Sequence, residues 1–198
     1  MNAASATYPT LMERLWTAEQ NSAVPRALVL MVAGSLLLWL SAKIQVPFYP
    51  VPMTMQSFMI LIIGAAYGWR LGAATILLYL IEGAIGLPVF AGTPERGIGL
   101  AYMAGPTGGF LIGFLLGGML TGYLAERGLD RSIPGTLVAM ILGHVLLFVP
   151  GLIWLGTLIG ADKALAAGLY PFVWATVFKT ALAAAILPAA WGVLGRRG

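Results

Sequence analysis

The chain has 198 residues, 60% hydrophobic and only 9% charged, with a net charge of +4. Soluble domains carry about 25% charged residues, so there are too few here to wet a globule of this size, and lipid is the solvent that fits. Cysteine is absent, which excludes a disulfide framework, a thiolate metal site and a cysteine nucleophile, and the small positive charge reads as a topology signal rather than a nucleic-acid footprint.

Residues 1–26 are read as a cytoplasmic N-terminal segment. It carries Glu13, Arg14 and Glu19 and lacks the apolar core of a secretory signal peptide. A single transmembrane domain over 27–195 follows. The expected fold is all-α, a compact bundle of six transmembrane helices with both termini cytoplasmic. Its apolar stretches run over 27–45, 53–69, 71–88, 108–125, 135–160 and 170–194. A spanning helix needs about 20 such residues, and continuous apolar runs argue against the alternating strands of a β-barrel. Only Trp69 and Arg70 separate the second stretch from the third, which predicts a tight turn. Pro150 inside the fifth removes a backbone donor and predicts a kink.

Basic residues orient the bundle. With both ends inside, Arg14, Arg26, Arg70, Arg127, Arg131, Arg196 and Arg197 lie on the cytoplasmic side, and Lys43, Arg96 and Lys163 on the outer side. That asymmetry satisfies the positive-inside rule and describes a multi-pass protein of the inner (plasma) membrane.

Small residues recur at four-residue spacing: Gly105, Gly109, Gly113 and Gly117, then Gly118 and Gly122, with Gly64, Gly68 and Gly72, and Ala181, Ala185 and Ala189, doing the same. Such faces let helices approach closely in lipid, either within the bundle or against a partner membrane protein. Two outer loops are distinctive. The segment 46–52 is stiffened by three prolines, and 89–107 is long enough to act as a lid. Together they suggest a covered pocket that opens outward.

Candidate chemistry is sparse. None of the three lysines, Lys43, Lys163 and Lys179, follows a glycine, so the chain has no Walker A loop, and any ATP hydrolysis must come from another chain. His144 has no second ligand at metal-binding spacing and reads as a packed, helix-bonded residue. Ionisable groups within the membrane are functional candidates by default, and Lys179 stands out. It lies about 13 Å below the outer end of its helix at 1.5 Å per residue, with its side chain leaning outward. Thr176 is one turn nearer the outside. Glu82 is either a site group or a counter-charge for Lys179, and Gln56 either faces the pocket or packs against the loop.

Three segments carry a family resemblance. Val51-Pro52-Met53-Thr54-Met55-Gln56-Ser57-Phe58 resembles the VPxTxQ(T/S)F signature of the BioY biotin transporters. The segments from Gly86 to Gly92 and from Gly105 to Phe114 resemble that family's GLPVFAG and GPTGGYLxGF. The resemblance covers roughly 35–195. It implies a substrate-capture (S) component of an energy-coupling-factor transporter that binds biotin from outside. Driving partners would be a transmembrane coupling protein and two cytoplasmic ATPases, with membrane lipid as surroundings and no cofactor or enzymatic activity. The expected biotin site takes Phe90, Ala91, Gly92 and Tyr102 from the outer loop, with Lys179, Thr176, Gln56 and Glu82. At Thr176 the family's Gly-Asp-x-x-Lys motif carries aspartate. Near Ala33, Gly34 and Ser35 the expected small-residue coupling motif lacks a clean repeat. An S component for another vitamin and a stand-alone facilitator are the alternatives.

Overall fold

The computed structural model describes residues 7–16, 23–46 and 49–195. Its first element, α1 (Leu11–Leu15), is fixed by a reciprocal cap. The Glu13 amide donates to Thr10 Oγ1 at 3.3 Å and the Thr10 amide to Glu13 Oε2 at 2.8 Å, which satisfies two donors the helix start leaves over. The first long helix, α2 (Ala23–Lys43), begins four residues before the boundary expected at 27. It turns only one stripe inward, through Leu30, Gly34, Ser35, Leu38, Ser41 and Ala42. The rest of its surface is bare Leu, Val and Trp.

A short ladder crosses the loop that follows α2. Strand β1 (Gln45–Val46) pairs antiparallel with β2 (Met53–Thr54), Gln45 opposite Thr54. Pro47 and Phe48 lie outside the described residues.

The next element, α3 (Gln56–Ala84), folds back on itself. At Gly68 the backbone leaves helical geometry, with φ 81° and ψ 171°, a region open to glycine and costly for other residues. In a straight helix Gln56 and Tyr79 would stand about 35 Å apart, yet Gln56 Nε2 donates to the Tyr79 hydroxyl at 2.6 Å. A Cβ built on Gly72 would come within 3.1 Å of Gly64 Cα. The reversal therefore falls at Gly68, with Trp69 and Arg70 already in the returning limb.

The chain continues through α4 (Gly99–Met103), α5 (Gly108–Ala125), a 3₁₀ turn at Leu129–Arg131, α6 (Ile133–Ile159), α7 (Ala161–Gly168), a second 3₁₀ turn at Tyr170–Phe172 and α8 (Val173–Gly195). The expected kink at Pro150 is not a break, since α6 runs through it as one helix. The segment before the last helix, expected as loop, contains α7. Among the described residues, five helical runs are long and apolar enough to cross a membrane: α2, α3, α5, α6 and the run from α7 through α8. Their outer faces carry exposed Leu, Ile, Val and Trp, the surface that lipid rather than water would cover.

Glycines on α5 set the centre of the bundle. A Cβ on Gly113 would stand 2.2 Å from Leu147 O of α6, and one on Gly64 of α3 only 2.2 Å from Gly118 O. Backbones this close exclude any side chain, so these stripes pack the bundle internally. Gly105 is not part of the α5 stripe, because it lies in the turn after α4. Ala181, Ala185 and Ala189 face outward, while Ala183 and Ala184 are the buried alanines of α8.

The two ends of the bundle differ. At one end, Tyr8 donates its amide to Glu126 O at 2.7 Å. There the Arg131 guanidinium lies between the Tyr8 and Trp191 rings, at 4.6 and 4.2 Å from their centroids. At the other end residues 51–54, the segment 85–107 and Phe172 meet around the cavity described next.

Candidate functional site

The loop end of the bundle is built on a buried hydroxyl. Tyr79 accepts from Gln56 and donates to Val89 O at 2.9 Å, tying both limbs of α3 to the loop that follows them. Phe90 packs edge-on to Tyr79 at 5.5 Å and stacks on Tyr102 at 4.9 Å. It lies so close over Gly83 that a Cβ there would sit 2.0 Å from its ring. The Tyr102 hydroxyl donates to Ala91 O at 2.9 Å, and burial pushes its ionisation upward. Lys43, at the end of α2, donates to Pro88 O, Phe90 O and Thr93 O at 3.0 to 3.3 Å. Segment 86–93 is thus a stitched cover rather than a free loop.

Beneath it lies a cavity with about 520 Å³ of atom-free space, part of it open to the outside. Phe110 and Phe114 of α5, Phe148 of α6 and Phe172 form its aromatic walls. Phe148 stands edge-on to Phe110 at 6.0 Å and at 6.2 Å from Phe172. Polar groups are few: Thr54, Gln56, Ser57, Tyr102, Thr107 and Lys179.

Lys179 is 5% exposed. Its ammonium donates to Thr54 O at 2.6 Å and Ser57 Oγ at 3.0 Å, two of the three bonds an ammonium can make. Among the described residues lining the cavity there is no carboxylate. A buried cation held only by neutral acceptors keeps much of its desolvation cost, and an anion entering the cavity would offset it.

The residues expected in the site divide into two groups. Lys179, Gln56, Ala91 and Tyr102 line the cavity. Phe90 sits behind the wall, in the aromatic stack. Gly92, at φ 70°, lies under the Arg96 side chain. Thr176 is half-buried on α8 outside the lining. Glu82 is not the counter-charge of Lys179, because its carboxylate accepts from the Ser35 hydroxyl of α2. His144 keeps the helix-bonded role expected of it, with Nδ1 2.9 Å from Met140 O. Among the described residues no group of three His, Asp or Glu could hold a metal. Sequence reasoning missed the cavity's phenylalanines and the clamp at Lys43. The first look like any buried apolar residue, and the second was read only as a loop charge.

The three segments singled out by resemblance converge here. Val51, Pro52, Thr54, Gln56 and Ser57 come from the first, Ala91 from the second, and Thr107, Phe110, Leu111 and Phe114 from the third. A family model described as the BioY family matches residues 12–196. The chain belongs to the BioY family. Relatives within it include the biotin transporter BioY of Rhizobium etli, 39% identical over 156 residues, with 74% of this chain and 81% of the relative covered. The probable biotin transporter BioY of Pyrococcus horikoshii is 35% identical, with 73% and 83% covered. For the biotin transporter BioY of Thermotoga maritima the identity is 34%, with 76% and 86% covered. The fold is also that of a solved structure, the crystal structure of the S-component for biotin from an ECF-type ABC transporter. The two superpose with a TM-score of 0.74 at 24% identity, covering 87% of this chain and 94% of that one. The BioY family thus accounts for the bundle and for the place where its three segments meet.

Proposed function

We propose that this chain is the substrate-binding component of an energy-coupling-factor transporter and captures biotin on the outer side of the plasma membrane. The observation that carries the reading is the convergence of three BioY segments and Lys179 on one cavity whose lining, among the described residues, holds a cation and no carboxylate. Biotin pairs an anionic carboxylate with an apolar chain and a ureido ring. The aromatic walls suit the chain and ring body, Lys179 suits the carboxylate, and the amide and hydroxyls of Gln56, Tyr102 and Thr107 suit the ureido group. Phe90, Gly92 and Lys43 hold the cover that positions Ala91 and Tyr102.

Six crossings fit the chain path when the two limbs of α3 are counted separately, beside α2, α5, α6 and α8. Both termini are then cytoplasmic. The end of the bundle that carries the N-terminal segment holds Arg14, Arg26, Arg70, Arg127 and Arg131, while the loop end holds Lys43, Arg96 and Lys163, as the positive-inside rule requires. Energy comes from partners, a transmembrane coupling protein and two cytoplasmic ATPases, since the chain has no phosphate-binding loop. Calorimetric titration of the detergent-purified protein with a panel of water-soluble vitamins tests the assignment. Saturable one-to-one heat with biotin and none with the others is expected. Tight binding of a different vitamin would replace the ligand.

A further inference from the structure

A second cavity lies on the other side of Lys179. Ile44, Met53 and Met55 bound it from the β-ladder side and Ala175 and Phe178 from α8, around about 520 Å³ of atom-free space that opens past the exposed Phe178. Thr54 and Lys179 line both cavities, and the bond from Lys179 Nζ to Thr54 O stands between them. Apart from those two residues and the edge of Gln45, its lining is apolar.

We infer that this groove is a subsite for an apolar extension on the carboxyl end of the ligand, so that the protein accepts neutral, linear N-alkyl amides of biotin as well as biotin. This rests on the reading above that places the biotin carboxylate at Lys179. A substituent on the carboxyl carbon begins at the partition that the two cavities share. The groove continues from there between Met53 and Ala175, walled by methionine, isoleucine and phenylalanine, which favour an alkyl chain over a charged or branched polar one. The outer cover leaves less choice. Lys43 and Tyr102 anchor it to the bundle over the first cavity, so a chain at the Lys179 end runs sideways under it.

Competition against labelled biotin, on the full chain in lipid nanodiscs, tests this with biotin amide and biotin N-hexylamide. Both lack the carboxylate, so the difference between them reports the chain alone. The hexylamide is expected to bind at least as tightly as the amide. Ala175→Trp and Met53→Trp, which fill the groove from opposite walls, should each weaken the hexylamide at least tenfold. Biotin and biotin amide should stay within about threefold of the wild type, which also shows that the variants fold. A wild-type protein that rejects the hexylamide would overturn the subsite while leaving biotin binding in place. So would variants that bind it unchanged, or a hexylamide that binds in detergent and is lost in nanodiscs because lipid chains fill the groove. Loss of biotin itself from both variants would place their residues in the first cavity's wall and likewise count against the subsite. Failure of the wild type to bind biotin would remove the underlying reading as well.

Discussion

Two buried ionisable groups are treated in opposite ways by their surroundings. Lys179 has neutral oxygens for company and a cavity beside it. Asp130, in the turn between α5 and α6, accepts from Trp191 Nε1 at 2.6 Å through one oxygen, while the other is buried without a partner. Burial raises the Asp130 pKa, and the Trp191 bond and the neighbouring Arg131 pull it back only in part. A carboxyl whose pKa is raised in the folded state binds its proton more tightly there than in the unfolded chain. Its contribution to stability is therefore greatest below the ordinary carboxylate range and falls as pH rises through the folded value. Asp130→Asn keeps an acceptor for Trp191 and removes the charge. It should raise the thermal midpoint at pH 8, with the gain shrinking toward pH 4. A variant that is less stable at pH 8 would mean that the charge is needed by Arg131.

The helices themselves were largely legible from hydropathy, because a bilayer demands long apolar runs whatever they pack against. Contacts between them were not. Hydropathy could not distinguish Gly113, which faces a carbonyl of α6, from Ala181, which faces outward. That distinction depends on helix rotation, and a helix apolar on all sides hides it. The α3 reversal was placed at Trp69-Arg70, whereas the backbone turns one residue earlier, where only glycine is comfortable. The helix α1 was not expected in the N-terminal segment, although Thr10 and Glu13 stand at the spacing of a capping box. Of the expected site residues, Lys179, Gln56, Ala91 and Tyr102 come together on the cavity, whereas Phe90, Gly92 and Thr176 lie outside its lining. Glu82 was misassigned because its true partner, Ser35, is 47 positions away and carries no charge to suggest a pair. Substitutions should separate the two kinds of glycine. Gly113→Val forces a branched side chain against Leu147 O and should cost about 1–3 kcal/mol or more from overpacking, read as a lower melting temperature in detergent. Gly192→Ala in α8 meets nothing within 4 Å and should be neutral or stabilising by about 0.5–1 kcal/mol. Equal effects of the two would contradict the packing described.

On the scale of the whole molecule, one end is arginine-rich and packed against the N-terminal segment, and the other carries the cover and the two cavities that share Lys179. Glu95, exposed at the tip of the cover, is a suitable reporter in a chain that has no cysteine of its own. Glu95→Cys should react with an impermeant thiol reagent added to intact cells. Labelling only after lysis would invert the topology and with it the direction of capture. The same orientation places Lys179 beneath the outer loops, within reach of a ligand arriving from outside. Its role is tested most directly by the affinities of biotin and biotin amide for the wild type and for Lys179→Met, which keeps the apolar stem and removes the charge. Losing the bonds to Thr54 and Ser57 affects both ligands alike, so the difference between them isolates the contact with the carboxylate. A charge-assisted hydrogen bond contributes about 1.5–3 kcal/mol, which is about 10- to 150-fold in affinity. Biotin should weaken by that factor while biotin amide changes little. Equal losses for the two ligands, or none for either, would contradict the assignment of Lys179 to the carboxylate.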